Sequence, residues 1–169
     1  MSFDYSSIGV VISAIGVLIA LTALVIEVRR SRLATQVDLL MRIEDKFESR
    51  EMIALREIAA KKLLEKDLVN NELGKILGFF AMISFLYLRK VIDTELIYTE
   101  YSYWMVRYWL CAQAYVDQER RIDPQCFLTL ERVVSILKDR EQEHGYSLYT
   151  QEILSAFLEK EAGKPISIL

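Results

Sequence analysis

The stretch IYTEYSYWMVRYWLCAQAY, Ile97 to Tyr115, gathers five tyrosines and both tryptophans of the chain around a single arginine, Arg107. At helical spacing Tyr101, Trp104 and Tyr108 share one face. Rings with polar tips can stack on a planar ligand, and an arginine beside them can pair with its phosphate or carboxylate. Tyr101, Trp104, Arg107 and Tyr108 are therefore the candidate ligand or interface set. The same spacing is that of a packing stripe. Aromatic residues recurring at three and four belong first to a bundle core, or to a contact between subunits.

Little else in the chain is equipped for catalysis. His144 is the only histidine, and beside Gly145 it reads as a helix-end residue favoured by the C-terminal dipole. Cys111 and Cys126 stand in neither a nucleophile context nor a metal-ligand spacing. A di-iron bundle is unsupported. Neither a phosphate-binding loop nor a dinucleotide fingerprint is present. No catalytic residue, metal or cofactor is expected, and two unpaired thiols fit a reducing compartment.

The elements that must position the aromatic stretch begin with a long apolar run. From Ile8 to Ile26 no residue is ionisable, and as a helix the run covers ~28 Å, close to the hydrocarbon thickness of a bilayer. Asp4 precedes it, and Arg29, Arg30 and Arg32 follow it. A cleaved signal peptide has the reverse order of charge. The asymmetry predicts a permanent transmembrane helix with its N-terminus outside and the rest of the chain in the cytoplasm, the arginines lying at the inner headgroups. Gly9, Ser13, Gly16, Ala20 and Ala23 recur at four, three, four and three residues, one seam of small side chains. In lipid such a seam lets backbones approach closely, so a homo-oligomer joined through the span is expected.

Beyond Arg32 the periodicity stays helical. Leu33, Val37, Leu40, Ile43 and Phe47 form a stripe, which predicts an amphipathic stalk ending near Ser49. A second helix follows, and Asn70 and Asn71 open a third. Asp93 and Thr94 open a fourth running towards Arg121. Asp123 and Pro124 read as N-cap and first residue of a fifth, stopped at Gly145, and Thr150 caps a sixth. Ile76 to Leu88 is uncharged but spans only ~20 Å, the length of a core helix; a re-entrant membrane segment is the alternative. Gly74, Gly78 and Ala81 share a face of that helix, which predicts close packing there. The expected fold is all-α: an anchor at 1–32, a stalk at 33–49, and a cytoplasmic domain of about five bundled helices at 50–169.

Composition agrees with this outline. Hydrophobic residues make up 53% of the 169, with only two prolines and six glycines, and the mean hydropathy is +0.19. From Val28 onward 21 basic residues face 22 acidic ones. That balance offers nothing to neutralise a phosphate backbone, so no nucleic-acid partner is expected.

The span ending in its arginine cluster, AIGVLIALTALVIEVRRSR, and the block ILGFFAMISFLYLRKVIDTELIYTEYSYWMVRYW together resemble a bacterial family of small membrane-anchored proteins, a domain-of-unknown-function group. The resemblance implies a single N-terminal anchor in the bacterial inner membrane with a cytoplasmic helical domain, and it carries no site residues. Two functions follow from the residues. One is a self-associating membrane protein whose helices bind a protein partner or sense a signal, in its extreme form a membrane-disturbing effector of anti-phage defence. The other is a membrane-tethered enzyme or nucleotide receptor built on Arg107 and its tyrosines.

Overall fold

No proline or glycine falls between Gly16 and Gly74, so nothing in the backbone chemistry of this segment forbids a long helix. The computed structural model describes residues 5–145 and 149–163, apart from the side chains of residues 5–15, Arg32, Leu33 and Thr94. Its first helix, α1 (Tyr5–Phe47), has 43 residues and is therefore ~65 Å long. It ends where Ser49 begins the next helix. The Ser49 hydroxyl donates to the Lys46 carbonyl and accepts from the Met52 N–H, an N-cap that turns the chain.

Six more helices follow: α2 (Arg50–Leu64), α3 (Asn71–Leu88), α4 (Thr94–Cys111), α5 (Gln113–Ile122), α6 (Leu128–Glu143) and α7 (Gln151–Glu161). There is no strand among the described residues. The chain divides into two compact units, residues 1–45 and 46–169. In the second unit α3 and α4 are central. α3 packs against α2, α4 and α6, and α4 also meets α5, α6 and α7. Leu73, Ile76, Leu77, Phe80 and Ile83 of α3 are fully buried, as are Ile97, Met105, Val106 and Tyr108 of α4. Capping fixes where these helices start. Asn70 accepts from the Leu73 N–H while its amide donates to the Ala59 carbonyl, so one buried side chain ties α3 to α2. Asp93 accepts from the Glu95 N–H, and Thr150 from the Ile153 N–H.

Three expectations are corrected. The helix opened by Asp93 does not continue to Arg121. It breaks at Ala112, where the Trp109 carbonyl is taken by the Gln113 side chain at 2.8 Å, and α5 starts afresh. Among the described residues the domain after Ser49 thus holds six helices rather than about five. Asp123 and Pro124 do not open α6 either. Asp123 instead accepts from the Gln125 N–H in a turn, and Phe127 takes a left-handed conformation (φ 59°) before Leu128 begins the helix. Arg120 holds that turn by donating to the Cys126 carbonyl and pairing with Glu131 at 2.8 Å. Gly145, by contrast, ends the segment after α6 at φ +78°, as its position implies.

The third correction concerns the glycines of α3. A methyl group at Gly74 would stand 2.5 Å from the Tyr115 hydroxyl, so this glycine does admit a close neighbour. Gly78 faces open space. The two positions therefore predict opposite responses to alanine. Gly78→Ala should stabilise the protein by ~0.5–1 kcal/mol through helix propensity alone. Gly74→Ala should fall ~1–3 kcal/mol below it because the buried Tyr115 must move. Urea unfolding of the two variants side by side checks this.

Candidate functional site

α4 carries the polar and aromatic side chains that the sequence singled out, and it turns them in two directions. Tyr101 and Trp104 meet Phe47, the last residue of α1, with ring centroids 5.7 and 5.1 Å away and edge-to-face. Phe47 also stacks on Phe79 at 5.8 Å. Tyr108, one turn further on, is fully buried between Phe80 and Phe157. These three residues lie on a core face. Edge-to-face rings with their bodies in the interior are a packing arrangement, which accounts for Tyr101, Trp104 and Tyr108 without a ligand.

Behind Phe47 stands a charge. The Arg56 guanidinium of α2 lies 4.2 Å from the centre of the Phe47 ring, and its Nε is 3.6 Å from the Glu161 carboxylate of α7. Tyr108 donates to the same carboxylate at 2.8 Å. Burial, aided by this anionic neighbour, pushes the Tyr108 phenol well above its usual range, so it stays a donor at any physiological pH. Arg56 is 8% exposed, and its Nε and one terminal nitrogen have no hydrogen-bond partner. Neither Arg56 nor Glu161 is legible from the sequence as a site residue, since each reads there as one more charged position on an amphipathic helix.

Arg107 points elsewhere. It sits ~120° around the helix from Tyr101. Its guanidinium donates to the Tyr103 carbonyl at 3.0 Å and lies 4.0 Å from the Tyr103 ring and 5.8 Å from the Tyr149 ring. Across from it, α6 contributes Glu141, only 6% exposed. Burial raises the Glu141 carboxyl above the usual carboxylate range, while Arg107 and the hydrogen-bonded Ser102 hydroxyl act against that rise. One Glu141 oxygen, Oε2, and the buried Tyr149 hydroxyl have no hydrogen-bond partner. The candidate set Tyr101, Trp104, Arg107 and Tyr108 is thus not one site. The structure leaves Arg107 near Ser102, Glu141 and Tyr149, buries Tyr101 and Tyr108 in the core, and leaves Trp104 half-buried against Phe47.

The remaining chemistry is unpromising for catalysis. Burial pushes the Cys111 thiol up to about 12, so it is not a thiolate near neutrality. Glu141 and His144 stand in Glu-x-x-His spacing, but the His144 ring lies against Tyr98 at 5.6 Å. Among the described residues no three His, Cys, Asp or Glu side chains gather as a metal would require.

Of the small-residue seam, Gly9 and Ser13 lie outside the described side chains, as does Arg32 of the arginine cluster. Gly16, Ala20, Ala23, Arg29 and Arg30 are exposed on α1, and Ala23 borders a shallow apolar groove with Leu18, Ile19, Thr22 and Ile26. One helix among the described residues, α3, is long and apolar enough to cross a membrane, with a mean hydropathy of 1.2. Its apolar face is the centre of the bundle.

The family model of a domain of unknown function, DUF4760, matches residues 10–136, three quarters of the chain. The chain belongs to this family. The matched residues of this DUF4760 member run from within α1 into α6, and so take in Phe47, Arg56, the aromatic helix α4 and its Arg107. Glu141, Tyr149 and Glu161 lie beyond the match. No curated protein and no solved structure matches the chain.

Removing Glu161 would leave Arg56 buried and unpaired, so Glu161→Gln should destabilise the bundle by ~3–5 kcal/mol. Adding Arg56→Met removes the stranded charge, and the double variant should recover more than half of that loss. Equilibrium unfolding of the parent, the single and the double variant measures both numbers.

Proposed function

We propose that this protein is a membrane-anchored, self-associating helical protein whose cytoplasmic bundle binds a protein partner and performs no chemistry itself. The observation that carries this reading is the surface of α1. Over residues 16–28 its large apolar side chains are all exposed: Leu18 and Ile19 at 64% and 65%, with Val17, Leu21, Leu24, Val25, Ile26 and Val28 alongside. Apolar side chains exposed on every side of a helix suit a lipid environment. Thr22 supports the same environment, because its hydroxyl donates to the Leu18 carbonyl and so is satisfied within the helix. Arg29 and Arg30 then mark the cytoplasmic boundary.

Gly16, Ala20 and Ala23 lie within this exposed region, which supports association of anchors through the seam. The core packing of Tyr101 and Tyr108, and the protonated Cys111, favour a binding role over an enzymatic one. Scaffolding is the work proposed for the bundle.

Two measurements on full-length protein test the reading. A membrane-impermeant maleimide applied to intact bacterial cells should label a cysteine placed at Ser2 and leave one at Ser167 untouched; the reverse pattern refutes the topology. Gly16→Leu should reduce the oligomer mass in detergent at least several-fold in population, whereas Val17→Leu keeps it. Equal masses for both would remove the seam from the account.

A further inference from the structure

We infer that the outward face of α3 is a docking surface for an anionic lipid bilayer. The inference goes beyond the anchored reading and rests on it only for placing a bilayer beside the bundle. A core helix normally carries polar residues on its outward side, and a helix that is apolar all round is normally covered. α3 departs from this. From Ile76 to Leu88 no residue is charged. Ile76, Leu77, Phe80 and Ile83 are fully buried, yet Met82 is 45% exposed and Phe85 50%. Gly78, Met82 and Phe85 recur at four and three residues and form one exposed stripe, which Lys75 continues at one end and Arg89 at the other. From Lys75 to Arg89 the stripe runs ~21 Å.

Charge decides what covers this stripe. No Asp or Glu lies between Glu72 and Asp93, whereas Lys75, Arg89 and Lys90 are all exposed. The carboxylates that feel the charge of Lys75, Glu51 and Glu72, are already held by Lys46 at 2.8 Å and by Lys62 at 2.7 Å. A second copy laid along this face by its own α3 would set cations against cations in either direction. An anionic bilayer suits both parts of the surface: acyl chains take Met82 and Phe85, and headgroups take the cations at the two ends. The Arg89 guanidinium lies 5.2 Å from the centre of the Phe85 ring, a cation at the edge of the apolar stripe, as such a boundary requires. Phe47 is seventeen residues beyond Arg30. In an anchored molecule the bundle is therefore held at high effective concentration beside the leaflet, and a weak surface affinity suffices.

Fluorescence of Phe85→Trp in the full-length protein tests this, with the parent, which keeps Trp104 and Trp109, as baseline. The probes are vesicles of phosphatidylcholine alone and of about three parts phosphatidylcholine to one part phosphatidylglycerol, with equal bromine on their acyl chains. In the anionic vesicles the added tryptophan should be quenched at least ~3-fold more strongly than in the neutral ones, and should lose access to aqueous acrylamide. Lys75→Gln, Arg89→Gln and Lys90→Gln together should remove most of that difference while leaving the melting midpoint within ~2 °C of the parent. Bromine quenching of Phe85→Trp no greater than in the parent overturns the inference, as does equal quenching in the two lipids. Shielding from acrylamide without bromine quenching overturns it too, and assigns the face to a protein instead. Flotation with neutral vesicles reads α1 separately: protein that stays behind removes the anchored reading, while quenching by added anionic vesicles still upholds the docking face.

Discussion

A guanidinium taken out of water must be given a counter-charge or the fold around it fails. In this protein that constraint falls on Arg56, and three elements answer it. α1 supplies the Phe47 ring at 4.2 Å, α7 supplies the Glu161 carboxylate at 3.6 Å, and α4 supplies Tyr108, which holds that carboxylate at 2.8 Å. The arginine itself comes from α2. Phe47 in turn fixes Tyr101 and Trp104. Phe47 is therefore part of the core of the second unit, and α7 is tied to the same point.

The two faces of α4 have different physics. On the Phe47 side aromatic area dominates, and the Tyr108 hydroxyl is paired with Glu161. On the Arg107 side charge dominates, and the pairing is incomplete: Glu141 carries a raised pKa and an unpartnered oxygen, and Tyr149 a buried hydroxyl without a partner. An arrangement whose only role was stability would gain from a well-packed apolar replacement at such a place.

Much of the fold was legible in the sequence because helices announce themselves by period and by caps. Asn70, Asp93, Thr150 and Gly145 each stand where their chemistry requires. The misreadings have local causes. Asp123–Pro124 has the chemistry of a helix start, yet the same residues serve a turn, and only the tertiary contacts of Arg120 decide between them. The break at Ala112 leaves no proline or glycine to mark it. Arg107 was grouped with Tyr101, Trp104 and Tyr108 by proximity along the chain, whereas a helix places it about a third of a turn away. Its actual neighbours come from α6 and from the segment before α7. The pairing of two distant charged residues, Arg56 with Glu161, has no sequence signature at all.

The central claim is that Phe47 and Glu161, far apart in the chain, act on one another through Arg56. A double-mutant cycle on the full-length protein tests it directly, using Phe47→Leu, Glu161→Gln and the combination, with unfolding free energies measured in urea. Residues sharing one network show interaction energies of ~0.5–3 kcal/mol, and independent ones add to within ~0.3–0.5 kcal/mol. The account predicts a coupling of at least ~1 kcal/mol that disappears when the cycle is repeated on an Arg56→Met background. Simple additivity in the parent background would contradict it.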